Sequence, residues 1–358
     1  MIVSPPILDF DSLLAPINGD NPAGDSQSIY RFRDLQKELS VEEDPNDWSP
    51  DDPTRPTEFK KAQWPVIVRM AKDTLTRGFR DGTLNVELAP SKDLEIAVRL
   101  TEGLVKTEGF AGLRDGLQLL RRMVTDCWDR IYPAIDDGDA SVRGDRLANL
   151  LDTPDRGARF PTTVRQVPLI NGDAGPYSYL TWKKTQDGGN QGGFSTADFE
   201  KAMSASPPAK IESLGADLAA AGEELKGLAK VLHEKLGQEA PALLGLRAAL
   251  DDCSGLVRFM QQRITPAEAP AEAGGGGGGA AGAGPAPKTA TRDQAYQQLA
   301  QAADRLQALE PHSPVPYLVR RAVELGRLPF PELIKALIRD ASTLSELYRD
   351  FGIKEEGS

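Results

Sequence analysis

The sequence predicts a mainly α-helical protein built in four consecutive parts, and three observations predict it. Two apolar runs with a 3-4 alternation follow one another between residues 211 and 264. A further run of the same kind spans 113–131. A glycine-, alanine- and proline-rich stretch, residues 265–290, then separates the last part of the chain from the rest. The expected organisation is an N-terminal helical domain with a small β-hairpin (1–190), a middle antiparallel helical hairpin (191–264), a flexible Gly/Ala/Pro linker (265–290) and a small C-terminal three-helix module (291–358).

Each element has its own reason. Residues 16–25, P-I-N-G-D-N-P-A-G-D, contain Asn21-Pro-Ala-Gly, a turn signature by itself. Gly19, Asp20, Asn21, Pro22 and Gly24 therefore have two readings, as a structural turn or as a turn that also presents a partner-binding surface. Residues 38–58 are acidic and broken by prolines. They fit no calcium-loop spacing and lack the glycine such a loop needs, so a solvated loop is expected. Lys61 to Arg77 carries apolar residues on one face, and Ser91 is placed to cap a second helix beginning S-K-D-L-E. In a third helix, Leu113, Leu117, Leu120, Val124, Cys127 and Ile131 form one stripe, widened by Trp128. Pro133 follows its end, and Asp136-Asp-Gly-Asp makes a turn. Residues 162–170 and 176–182 are β-branched or aromatic with Asn171-Gly172 between them, the pattern of a hairpin.

The middle part is the most regular. Ile211, Leu214, Leu218, Ala221, Leu225, Leu228 and Leu232 alternate strictly, as do Leu243, Leu246, Leu250, Cys253, Val257, Met260 and Ile264. A 3.5-residue repeat asks for a knobs-into-holes seam, and the short break at 237–241 makes the two runs an antiparallel pair. Each stripe has two candidate partners, the other stripe or a second subunit. A Gly-rich coil the length of 265–290 reaches roughly 25–30 Å.

The tail holds five prolines between 310 and 334, beside His312 and Ser313. Thr291 and Gln294 fit a capping box, with Ala295, Leu299, Ala302, Leu306 and Leu309 on one face. Ser313 then caps a second helix whose first position is Pro314, with Val315, Leu318, Val319, Ala322 and Val323 as its apolar face and Gly326 as its stop. Pro329 and Pro331 start a third helix with Leu333, Ile334, Leu337, Ile338 and Leu344 facing in. The prolines are helix starts, so this corner is a folding device. His312 and Ser313 lie in a turn without a third group to orient the histidine, which does not make a nucleophile pair. Tyr317, Leu318 and Val323 are either module core or subunit interface.

Several functions are excluded or left without support. The net charge of −11 and pI near 4.9 argue against nucleic acid as a partner. Cys127 and Cys253 give no disulfide framework and read as small buried hydrophobes, while His233 reads as a helix-surface residue. No secretory leader is visible and no window approaches the ~18 apolar residues of a membrane span, so the cytoplasm is the default location and no direct membrane insertion is expected. No phosphate loop, zincin pair, G-x-S-x-G elbow or paired C-x-x-C occurs. No catalytic, cofactor-binding or metal residue is assigned, no cofactor is expected, and the residues make no case for an enzyme.

Five blocks carry a resemblance. The P-I-N-G-D-N-P-A-G-D opening at 16–25 resembles that of the ImpA-type N-terminal domain, which marks the TssA components of bacterial type VI secretion systems. The likeness continues through W-P-V-I-V from Trp64, S-K-D-L-E-I-A from Ser91, G-L-R-D-G-L-Q-L-L from Gly112 and C-W-D-R-I-Y-P from Cys127. Their order over roughly residues 10–185 makes the signal specific. T-R-D-Q-A from Thr291 and E-P-H-S-P-V-P-Y-L-V-R-R-A from Glu310 look like the C-terminal block of the shorter, baseplate-associated subgroup.

The resemblance implies a non-enzymatic assembly factor on the cytoplasmic side of the inner-membrane secretion complex. It would be a homo-oligomeric ring formed through the C-terminal part, contacting baseplate proteins, sheath subunits, the inner tube protein and the spike. Such a scaffold would help assemble the baseplate and start tube and sheath polymerisation. Pro314, Val315, Tyr317, Leu318, Val323, Leu333 and Leu337 are its candidate oligomerisation residues. The alternatives are a sheath-tip cap or sheath stabiliser and, remotely, a hydrolase using His312 or the acidic loop.

Overall fold

The computed structural model is mainly helical, with two small antiparallel strand pairs among the described residues. It describes residues 3–44, 47–49, 51–152, 159–186, 194–264, 292–309 and 314–328, with single positions 332 and 336. The chain divides into two compact units, Met1–Ala269 and Pro270–Ser358.

The first unit opens with α1 (Phe10–Leu14), whose N-terminus is capped by Asp9 accepting from the Ser12 amide, and α2 (Ser28–Leu39). Next, α3 (Trp64–Thr74) carries Pro65 in its first turn, where the missing N–H costs nothing. A hairpin of β1 (Phe79–Asp81) and β2 (Val86–Leu88) leads into α4 (Leu94–Asp126). The two helices expected around residues 91 and 113 meet inside α4 at Gly109, whose φ of 62° breaks the helical path and redirects it. The expected stripe stays buried, but the helix ends before its last two members. Cys127 is the C-cap, and Ile131 lies in extended chain beyond a 3-10 turn, Trp128–Arg130.

After α5 (Ser141–Leu151) and α6 (Arg159–Arg165), β3 (Ile170–Gly172) pairs with β4 (Gly175–Tyr177) in the register Ile170↔Tyr177. The expected hairpin is present but only three residues long on each side. Its outer parts are helical instead, in α6 and in α7 (Tyr179–Gln186). Phe160, Thr163 and Val164 are buried where α6 packs on α10, and that burial overrides β-propensity. Next come α8 (Thr196–Ala205), α9 (Pro208–Leu236) and α10 (Leu244–Ile264).

The 3-4 stripes of α9 and α10 form the expected antiparallel hairpin within one chain. Ile211, Leu218, Ala221, Leu225, Leu228 and Leu232 are buried, as are Leu243, Leu246, Leu250, Cys253, Val257 and Met260. Besides α10, α9 packs along α4, and residues on both sides of position 190 join a single core running from Leu8 to Met260.

In the second unit, α11 (Arg292–Leu309) packs against α12 (Val315–Arg327), and Arg320 pairs with Asp304 at 2.7 Å. Two expectations change here. Among the described side chains of α11, Ala303 is buried and Leu306 half-buried, whereas Leu299 and Ala302, expected to face in, are exposed. On α12 the N-cap is Pro314 itself and the helix runs on through Gly326 to Arg327. The linker at 265–290, Thr291, His312, Ser313 and the third expected helix with Leu333 and Leu337 lie outside the described residues.

Candidate functional site

The 16–25 loop is fastened from within and from below. The Gly24 amide donates to the Asn21 carbonyl (2.9 Å), and the Ala23 amide to Asn21 Oδ1 (3.0 Å). Asn21 Nδ2 donates to the Gly24 carbonyl (2.7 Å) and to the Tyr132 hydroxyl (2.8 Å), which itself donates to the same carbonyl (3.0 Å). The backbone then joins three distant segments. Asp25 N donates to Pro90 O (2.9 Å), Lys92 N to Ala23 O (2.8 Å), Tyr132 N to Lys92 O (2.9 Å) and Leu94 N to Tyr132 O (3.0 Å). Gly24 sits at φ 78°, and a Cβ there would fall 2.1 Å from the Pro90 carbonyl oxygen. Only glycine fits that approach.

Beneath this ladder lies Lys92, fully buried. Its ammonium donates to the carbonyls of Leu13 (2.5 Å) and Leu75 (2.6 Å), at the ends of α1 and α3. Burial pulls its pKa down to about 8. The next carbonyl, Leu14 O, accepts from Arg130 (3.2 Å) and from the Cys127 thiol (3.5 Å). Asp93, not Ser91, caps α4 by accepting from the Glu95 amide (2.7 Å). The Ser91 hydroxyl is buried without a hydrogen-bond partner. Burial pushes the Asp93 carboxyl up to about 6 against the lowering effect of that hydrogen bond. Glu95 is held by Arg33 from α2 and by Arg146 from α5 (2.8 Å), so the start of α4 gathers both helices.

Of the candidate loop residues, Gly19, Asp20, Asn21 and Pro22 are exposed and Gly24 is half-buried. Among the candidate tail residues, Pro314 and Val315 are exposed, as are Tyr317 (59%) and Leu318 (66%), whereas Val323 (5%) is buried. Three of the five residues expected on the apolar face of α12, Val315, Leu318 and Ala322, are therefore exposed. Lys92, Asp93 and Tyr132 carry no local pattern that marks them, although two of the resembling blocks contain them. Their signal is the pairing of blocks at 16–25, 91–97 and 127–133, which only the fold brings together. Cys127 and Cys253 are buried and unpaired, and burial raises both thiols, Cys253 to about 12. His233 is exposed on α9. Among the described residues no cluster of three or more His, Cys, Asp or Glu is placed to hold a metal ion. No described helix is long and apolar enough to cross a membrane.

Residues 14–152 match the family model of the ImpA N-terminal domain of type VI secretion. Over these residues the chain is similar to that domain. The ImpA match covers the 16–25 loop, Lys92, Asp93 and Tyr132, so the fastened cluster lies within the family's own domain. Beyond it, the chain is 29% identical to the type VI secretion system component TssA1 of Pseudomonas aeruginosa, over 96% of this chain and 98% of that protein. The fold is similar to that of the N-terminal domain, including the conserved ImpA region, of the TssA component from Burkholderia cenocepacia. That likeness has a TM-score of 0.56 and 23% identity, and covers 74% of this chain and 98% of that structure.

Proposed function

We propose that the chain is a structural assembly component of a bacterial type VI secretion system, a ring-forming scaffold that helps assemble the baseplate and start tube and sheath polymerisation. The extent of the similarity to TssA1 supports this most. It runs through nearly the whole of both chains, and so takes in the C-terminal block as well as the ImpA domain. The surface of α12 supports self-association. Tyr317 and Leu318 are large, apolar and exposed on one short helix, the composition that marks contact surfaces. The partners in this reading are further copies of the chain, baseplate proteins, sheath subunits, the inner tube protein and the spike, at the cytoplasmic face of the secretion complex. It involves no catalysis, cofactor or nucleic acid. The exposed tip Gly19–Pro22 is a second contact point on the ImpA domain. Copies joined through the tail raise one another's effective concentration at the target, so weak single contacts suffice.

The test is the solution mass of the full chain and of residues 1–264, by light scattering on a sizing column. The expected result is a large full-length assembly that collapses to a much smaller species on truncation. A full-length monomer that also binds no baseplate or sheath protein would overturn the proposal.

A further inference from the structure

Near the N-terminus, residues 3–8 run along the first unit as an extended strap, and three buried charged side chains grip its backbone. Arg114 and Asp115 come from the second half of α4 and Asp217 from α9, with side chains 9%, 1% and 6% exposed. The Arg114 guanidinium bridges the two carboxylates, at 2.7 Å to Asp115 and 3.0 Å to Asp217. The remaining capacity of all three turns to the strap. Asp217 accepts from the Ser4 amide (3.0 Å) and hydroxyl (2.6 Å). Arg114 donates to the carbonyls of Ser4 (2.6 Å) and Pro5 (3.1 Å). Asp115 Oδ2 accepts from the amides of Ile7 (2.5 Å) and Leu8 (3.2 Å).

Recognition of this kind reads main chain, as peptide-binding grooves do, and it uses charge-assisted bonds. The match to the strap is specific in its gaps. Residues 5 and 6 are prolines, lack an N–H and are exposed, while residues 4, 7 and 8 supply the donors. Stripped of the strap, two carboxylates and one guanidinium would stay buried with part of their hydrogen bonding unmet, a costly state. An emptied groove therefore calls for a replacement of the same pattern. Beyond Ser4 the groove opens into a cavity of about 450 Å³ lined by Lys106, Phe110, Val167, Lys210 and Asp217, which gives an incoming segment an entry. The strap joins the unit through exposed Asp9, ahead of α1, so its release unwinds no helix.

We propose that the groove between α4 and α9 is a receptor for an extended segment of the pattern hydroxyl-Pro-Pro-aliphatic-aliphatic, that residues 4–8 are its resident ligand, and that the same segment of a second copy of this chain replaces them. The second copy is the occupant because its strap matches the groove residue for residue.

The hydroxyls of Ser4 and Ser213 lie 3.3 Å apart, so cysteines there fall within disulfide reach. Full-length Ser4→Cys and Ser213→Cys chains, differently tagged, are mixed and oxidised. The native thiols are buried and do not compete. The expected result is a disulfide-linked pair of the two chains, whose yield drops several-fold when excess synthetic peptide of residues 3–9 is present. A Ser4→Cys/Ser213→Cys double variant should close within one chain. The proposal is overturned if that variant closes but the mixed chains do not link, or if the peptide leaves the yield unchanged, which would mark random collision. Failure of the double variant to close would remove the strap contact and the proposal with it.

Discussion

Two regions carry the family resemblance, and the fold treats them in opposite ways. The 16–25 loop is polar and exposed at its tip, yet its amides, carbonyls and Asn21 side chain are tied to Pro90, Lys92 and Tyr132. The α12 segment is apolar and leaves Tyr317 and Leu318 in the open. The difference teaches that a motif's residues answer to different demands. In the loop they satisfy backbone groups where distant segments of the chain converge, so changes there should be read first as stability. On α12 the exposed side chains add little to the described packing of their own unit, so changes there should be read as association.

Four experiments bear on that contrast. The largest effect on folding is expected at Lys92. Lys92→Ala leaves the Leu13 and Leu75 carbonyls without their buried donor and opens a cavity, at a cost of about 3–4 kcal/mol in denaturant unfolding. A loss below about 1 kcal/mol would detach the loop cluster from the stability of the first unit. Next comes Gly24→Ala, which brings a Cβ against the Pro90 carbonyl at positive φ and should cost about 2–3 kcal/mol. Its oligomeric mass should not change.

A pH effect of similar size follows from Asp93. Its folded pKa, about 6, lies above the ordinary 3.8, so between these values the folded chain holds more proton than the unfolded one. Stability from this group is therefore greatest at the acid end and falls as pH rises from about 4 to about 6, by at most about 3 kcal/mol. Asp93→Asn keeps a capping oxygen and should flatten that slope, seen by comparing urea midpoints at pH 5 and pH 7. An unchanged slope would place the titration elsewhere.

The smallest effect on stability, within about 0.5 kcal/mol, is expected for the double change Tyr317→Ala and Leu318→Ser. The same change should lower the light-scattering mass. Intact mass with lost stability would reverse the contrast between the two regions.

Local pattern carried much of this fold. The stripes at 211–232 and 243–264 name their helices and the faces that meet in the hairpin, because a 3-4 alternation places its apolar residues on one face. The turn at 136–139 and the hairpin at 171–172 were legible from their glycines and asparagine. The hairpin at 79–88 is marked locally only by Asp81-Gly82, a turn dipeptide between strands of three residues each. The cap of α4 is Asp93 rather than the expected Ser91 because serine and aspartate both qualify two residues apart, and only the entry angle of the chain chooses between them.

By itself, the sequence determined the helical class, the antiparallel pairing of α9 with α10 and the resemblance to type VI secretion proteins. The tertiary structure alone decided that the pairing closes within one chain and that α9 also packs on α4. It also decided that Lys92 is an internal donor, that Arg114, Asp115 and Asp217 hold the N-terminal strap, and which side of α12 stays open. The physical reason is range. Periodicity and turn chemistry act over a few residues. A buried charge takes its partners from segments a hundred residues apart, and no spacing in the chain records them.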